Sequence, residues 1–183
     1  MSAQFRIAFS GCSGGGKSAL LAELGARGWT TVEEPGRAIV CDELSTGGRA
    51  TPWDDAPAFA APVLDRAVGD YARAGDGVTM FDRSILDALV WYQRTDTALP
   101  AHFAGLCETH RYDPIVWLTP PWKAQFAQDA ERRHGWEAAV AEFAALETLL
   151  PQMGYQTRHI PQLPLAGRAD WLECALSLEG VAA

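Results

Sequence analysis

Gly11-Cys12-Ser13-Gly14-Gly15-Gly16-Lys17-Ser18 has the spacing G-x-x-x-x-G-K-[ST], placed between an apolar run at 5–9 and a helical stretch at 19–24. Each position has a mechanical use in binding phosphate. Glycine reaches positive φ without a Cβ clash, so successive backbone N–H groups can turn toward one anion. Gly11, Ser13, Gly14, Gly15 and Gly16 are therefore the expected cradle. Lys17 would reach the outer phosphates, Ser18 would offer its hydroxyl to Mg²⁺, and the helix dipole would stand behind them. ATP and Mg²⁺ are the expected ligands. A glycine-rich turn that merely precedes a helix would explain fewer of these positions.

Asp82 directly follows the apolar run 78–81, where a carboxylate at a strand end can hold Mg²⁺ directly or through water. The next residue is Arg83, where many ATP-hydrolysing machines place a water-activating glutamate. A cation there suits another task, neutralising a transferring phosphoryl group while an acceptor hydroxyl is positioned. The plainer use of Asp82 and Arg83 is a structural ion pair. Glu33 and Glu34 end the run 29–32, and either could take the proton of an incoming hydroxyl or orient a water. Two solvated acids before a turn is the competing use. Arg37 suits a substrate phosphate or a partnership with Glu34.

Arg132 and Arg133 stand in a polar stretch where a small lid, about 121–136, would be inserted. Closing a lid expels water and brings arginines to developing charge, whereas a solvated helix face needs no such role. Trp53, Phe59, Tyr71, Trp91 and Tyr92 could wall a pocket for a planar group, although such residues more often belong to a core. Cys12, at a helix N-terminus, could have a lowered pKa, and a tolerated small side chain is the simpler reading. His134 has no ligand spacing with another His or Cys.

Five strands must position these groups. The run 5–9 reads as a buried parallel strand, 29–32 as the second, 78–81 as the third, 115–118 as the fourth and 155–160 as the fifth. Helices are expected at 19–24, 37–44, 85–93, 101–109 and 166–178, with 45–48 as a turn. The stretch 54–74 carries Phe59, Val63, Leu64, Ala67, Val68 and Tyr71 on one side, with regular helix expected from about Pro62. Trp136, Val140, Phe143, Leu146 and Leu150 mark an amphipathic helix closed by Pro151 and Gly154. Strands separated by helices imply a parallel sheet covered on both faces, with ligands at the carboxyl ends of the strands.

A chain of 183 residues, 48% hydrophobic, is consistent with a single domain, 1–183, with a sizeable core. A net charge of −8 and a pI near 4.9 argue against a nucleic-acid polymer as partner. Cys12, Cys41, Cys107 and Cys174 show no C-x-x-C pairing, which suggests a reducing, cytoplasmic setting. The N-terminus runs straight into the first strand, leaving no room for a signal peptide, and no apolar stretch approaches the roughly 18 residues of a spanning helix. A small-molecule acceptor is the expected partner, and a homodimer stays open.

The loop 11–18, Glu34-Pro35-Gly36-Arg37, Pro52-Trp53, Phe81-Asp82-Arg83-Ser84 with Asp87, Tyr112-Asp113, Pro120-Pro121-Trp122, the stretch 128–133, Gly154-Tyr155, 161–165 and Arg168 together carry a resemblance. The chain resembles the small bacterial AAA-type ATPase domain grouped with the ribosylnicotinamide kinase domain. It is more distantly similar to deoxynucleoside and nucleoside monophosphate kinases. That resemblance implies an α/β fold, a P-loop NTPase three-layer sandwich with a five-stranded parallel sheet, helices on both faces and a small lid.

It also implies Glu34 as the carboxylate that activates the acceptor, Asp82-Arg83-Ser84 as the acid-Arg-Ser triplet, Arg132 and Arg133 as lid arginines, and 161–165 against the base. The acceptor-recognition pattern of deoxynucleoside kinases is not visible between Trp53 and Ala74. The expected catalytic set is Lys17, Glu34, Arg83 and Arg132, acting in a kinase that moves the ATP γ-phosphoryl to a hydroxyl of a nucleoside-like acceptor. The alternative is a nucleotide-dependent switch or slow NTPase acting through a protein or lipid partner. A guanine-reading [NT]-K-x-D sequence is absent, which leans toward adenine. The chain is too short for the helical domain of an oligomeric motor.

Overall fold

The computed structural model describes residues 4–124 and 135–181. Five parallel strands form one sheet in the order β2-β3-β1-β4-β5: β1 (Gln4–Gly11), β2 (Thr31–Val32), β3 (Gly77–Asp82), β4 (Ile115–Thr119) and β5 (Gln156–His159). The chain reverses its lateral direction around β1, so the crevice at the carboxyl ends of β1 and β3 is where a ligand can enter. The register sets Phe9 beside Asp82 and Gly11 beside Thr119. The glycine loop and the β3 carboxylate are thereby brought to one edge.

Side chains alternate along a strand, and the buried residues divide accordingly between the two faces of the sheet. Ala8, Phe81, Val116 and Leu118 pack on one face against α3 (Ala56–Arg73), α4 (Ile85–Arg94) and α6 (Trp136–Gln152). Ile7, Phe9, Met80 and Trp117 pack on the other against α1 (Lys17–Ala26) and α7 (Leu165–Leu178). The three-layer expectation therefore stands. Among the described residues no helix is long and apolar enough to cross a membrane.

Several element boundaries differ from the sequence expectation. The second strand is short: Trp29 is buried and its indole donates to Glu173 Oε1 at 2.8 Å instead of joining the ladder. Helix α2 (Pro35–Thr46) begins earlier than residue 37, because Pro35 occupies its first turn where no N–H is needed. Helix α3 starts at Ala56, where Asp55 accepts from the Ala58 N–H at 3.1 Å, and it runs on through Pro62. An N-cap this strong places the start ahead of the proline. The expected helix 101–109 is divided into a 3₁₀ turn (Ala101–Phe103) and the short α5 (Leu106–Thr109), with Gly105 at φ 76 between them.

Candidate functional site

Gly16 caps α1 with φ 75, a left-handed conformation that glycine adopts without strain, and Lys17 opens the helix. Gly15 is small for a different reason: a Cβ there would lie 2.8 Å from Thr119 Oγ1 at the end of β4. The loop is thus fitted against its neighbouring strand as well as shaped toward an anion. Lys17 Nζ stands 3.1 Å from Asp82 Oδ1, and both side chains are about 95% buried. The Ser18 hydroxyl favours the charged form of the same carboxylate.

Burial alone would raise the Asp82 carboxyl, but the Lys17 charge and the Ser18 hydrogen bond outweigh it and hold the group below the usual carboxylate range. A depressed folded value stabilises the fold fully above the unfolded value of about 3.9, and this contribution fades as pH falls through the folded value. Asp82→Asn should therefore narrow the stability gap to the wild type below about pH 4, read from urea midpoints across that range. A gap that stayed constant down to about pH 2 would contradict this coupling.

Arg83 follows Asp82 with φ 64, a conformation uncommon for a residue with a side chain, and its N–H donates to Phe9 O at 2.9 Å. Backbone held this way is found where a side chain must be aimed. Here the guanidinium meets three carboxylates: Glu34 at 3.0 Å, Asp87 at 3.2 Å and Glu142 at 2.8 Å. Despite burial, these acids push the Arg83 pKa above its ordinary value. Glu34 occupies the N-cap of α2 yet makes no capping bond, and its carboxylate turns to Arg83 instead.

Asp87 closes a capping box with Ser84, accepting the Ser84 N–H at 2.9 Å, and it also takes a hydrogen bond from Ser10. Burial raises its pKa, with Arg83 opposing. Glu142, from α6, accepts the Ser13 N–H at 3.3 Å, a loop donor of the kind that would otherwise serve a phosphate. Burial would raise Glu142, but Arg83 outweighs it and holds the group low.

A cavity of about 290 Å³ joins these parts. It is lined by the loop from Cys12 to Ser18, by Glu34 and Arg83, and by the apolar side chains of Phe59, Val63 and Trp91. Arg37 lines it from the first turn of α2, while Glu33 is exposed and outside it. Of the aromatic residues considered from sequence, Tyr92 belongs to the core and Tyr71 packs edge-to-face on Tyr112 at 5.1 Å. Trp53 is half-buried in the turn before α3.

The lowered pKa considered for Cys12 beside its simpler reading as a tolerated small side chain is not found. Cys12 is buried, and burial followed by Glu142 raises its thiol pKa. Arg132 and Arg133 lie outside the described residues, as does 125–134 of the lid expected at about 121–136.

Glu142 was hidden from sequence reasoning. The helix reads as Phe143 and Leu146 facing inward, and Glu142 looks like part of its solvent side. The available signal was spacing: Glu142 is three residues after buried Ala139 and four before buried Leu146, an acid interrupting an apolar stripe. Asp82 and Ser18 offer oxygen donors of the kind a divalent cation takes. Asp82 Oδ1 is buried without a hydrogen-bond partner among the described residues, its Lys17 contact being an ion pair.

Comparison with known proteins adds two findings. A family profile described as "AAA domain" matches residues 6–168. Among solved structures, the chain is similar to deoxyadenosine kinase from M. mycoides with bound dATP, with TM-score 0.69 and 14% identity over 94% of this chain and 99% of that one. It is also similar to the same kinase with products dCMP and a flexible dCDP bound, with TM-score 0.67 and 13% identity over 96% and 100% of the two chains. At such identities the likeness is one of fold. No curated protein matches the chain.

Proposed function

The chain belongs to the AAA domain family, and from that premise we propose that it is a P-loop phosphotransferase, binding ATP with Mg²⁺ and moving the γ-phosphoryl to a hydroxyl of a small nucleoside-like acceptor. The observation that carries this reading is the single cavity in which the anion loop, Arg83, Glu34 and an apolar wall of Phe59, Val63 and Trp91 face one space. The deoxyadenosine kinases of like fold support a nucleoside-like acceptor.

In this proposal the N–H groups of the loop and Lys17 hold the phosphates. Ser18 and Asp82 would hold Mg²⁺, which would supply charge neutralisation to the phosphoryl group. Arg83 lies beside the transferring group, and Glu34 accepts the proton of the acceptor hydroxyl as its oxygen bonds to the γ-phosphorus and the bond from that phosphorus to the β,γ-bridging oxygen breaks, releasing ADP. Phe59 and Trp91 exclude water from the acceptor's planar part. Arg132 acts as a lid cation on the transferring group and Arg133 on the nucleotide, a role assigned from sequence.

Nucleosides and other small alcohols incubated with γ-labelled ATP should include one that takes the label in the presence of the chain. Labelled inorganic phosphate alone, across the whole panel, would overturn the assignment. A slow NTPase switch acting through a protein or lipid partner is the second reading. It is favoured by Arg83 being held by three carboxylates, contacts that a nucleotide would rearrange. Partner-stimulated hydrolysis without an acceptor distinguishes the two.

Glu142 must leave Ser13 or repel an incoming phosphate. Glu142→Gln is therefore expected to tighten ATP binding by about 3- to 10-fold, measured by calorimetry without acceptor. Unchanged or weaker binding by the folded variant would contradict that competition.

A further inference from the structure

Arg168 stands in the first turns of α7, outside the lining of the cavity, and is 3% exposed. Its Nη1 donates to Gly15 O at 3.2 Å and to Gly16 O at 3.4 Å. Its Nε has no hydrogen-bond partner, and no carboxylate pairs with it among the described residues. Its Cζ lies 5.8 Å from the Trp122 ring, a cation–π contact that offsets part of the desolvation. Buried guanidinium groups are ordinarily matched by an anion, because an uncompensated buried charge is costly. The charge of Arg168 lacks that match inside the described fold.

We propose that Arg168 is a positioning residue for the nucleotide phosphates, acting through the back of the loop, with the phosphate chain as its counter-charge. This inference rests on the nucleotide-binding part of the function proposed above. The peptide plane fixes how it works. Gly15 O shares a planar unit with the Gly16 N–H, and Gly16 O shares one with the Lys17 N–H. Both peptides are trans, so in each unit N–H and C=O point in opposite directions.

A guanidinium that draws both oxygens to one side therefore aims both N–H groups to the other. Gly16 at φ 75 is the backbone state in which consecutive N–H groups converge on an anion. A cation on the oxygens also polarises the two peptides and strengthens their N–H groups as donors. Both bonds come from the one nitrogen, Nη1, so a lysine ammonium could supply the charge and the donors, while the guanidinium plane fixes the directions of its N–H groups more closely.

The test is equilibrium binding of a fluorescent ADP without acceptor, displaced by ADP and separately by adenosine, for the wild type, Arg168→Met and Arg168→Lys. Arg168→Met should weaken ADP by about 10-fold or more while adenosine changes by less than about 2-fold, because adenosine has no phosphate for the aimed N–H groups to meet. Arg168→Lys should recover part of the ADP loss. Should Arg168→Met fail to fold, Arg168→Lys against Arg168→Gln reads the same split.

ADP binding that is unchanged, or ADP and adenosine weakened by one common factor, would overturn the positioning role and leave the phosphotransferase reading standing. A wild type that binds no ADP would overturn both.

Discussion

Glu34→Gln is expected to bind ATP as tightly as the wild type and to transfer phosphoryl about 10²- to 10⁴-fold more slowly. Glutamine keeps the size of the side chain and an oxygen toward Arg83, whose Nε lies 3.0 Å from Glu34 Oε1. What it removes is the capacity to take a proton. The split therefore separates Glu34 as base from Glu34 as a mere partner of Arg83, which would move binding and stability together. Single-turnover measurement with saturating ATP reads the chemical step, and normal turnover by Glu34→Gln would remove the base assignment.

Lys17→Ala should have two consequences of different origin. It removes the ammonium that meets the outer phosphates, so triphosphate binding should fall by at least about 10²-fold. It also leaves Asp82 buried without its counter-charge, a defect that costs about 3–5 kcal/mol of nucleotide-free stability. Combining Lys17→Met with Asp82→Asn should restore much of that stability and none of the binding. Recovery of ATP binding in the double variant would show that Lys17 acts only as the partner of Asp82.

The parts of this site legible in sequence are those whose spacing is local. The loop, the carboxylate ending β3 and the acid preceding α2 each announce themselves within a few residues, and strand order then sets them together. Glu142 and Arg168 reach the loop from 129 and 153 residues away in the chain, so local spacing could mark Glu142 as an acid in an apolar stripe but could set neither residue against the loop. Within its own helix Glu142 resembles a solvated acid, and only the docking of α6 against β1 turns it inward.

Two local rules also met stronger neighbours. Pro62 did not set the start of α3, because the Asp55 cap fixes that start further upstream. Cys12 lies four residues before the N-cap of α1, and burial and Glu142 raise its pKa against the opposing charges of Lys17 and Arg83.

The most direct measurement is a crystal structure with a non-hydrolysable ATP analogue, Mg²⁺ and an acceptor that takes label in the transfer screen. The account predicts the terminal phosphate between Lys17 and Arg83, with the acceptor hydroxyl in line with it and within hydrogen-bond reach of Glu34. A terminal phosphate turned away from Arg83, or an acceptor bound outside the wall of Phe59 and Trp91, would contradict it.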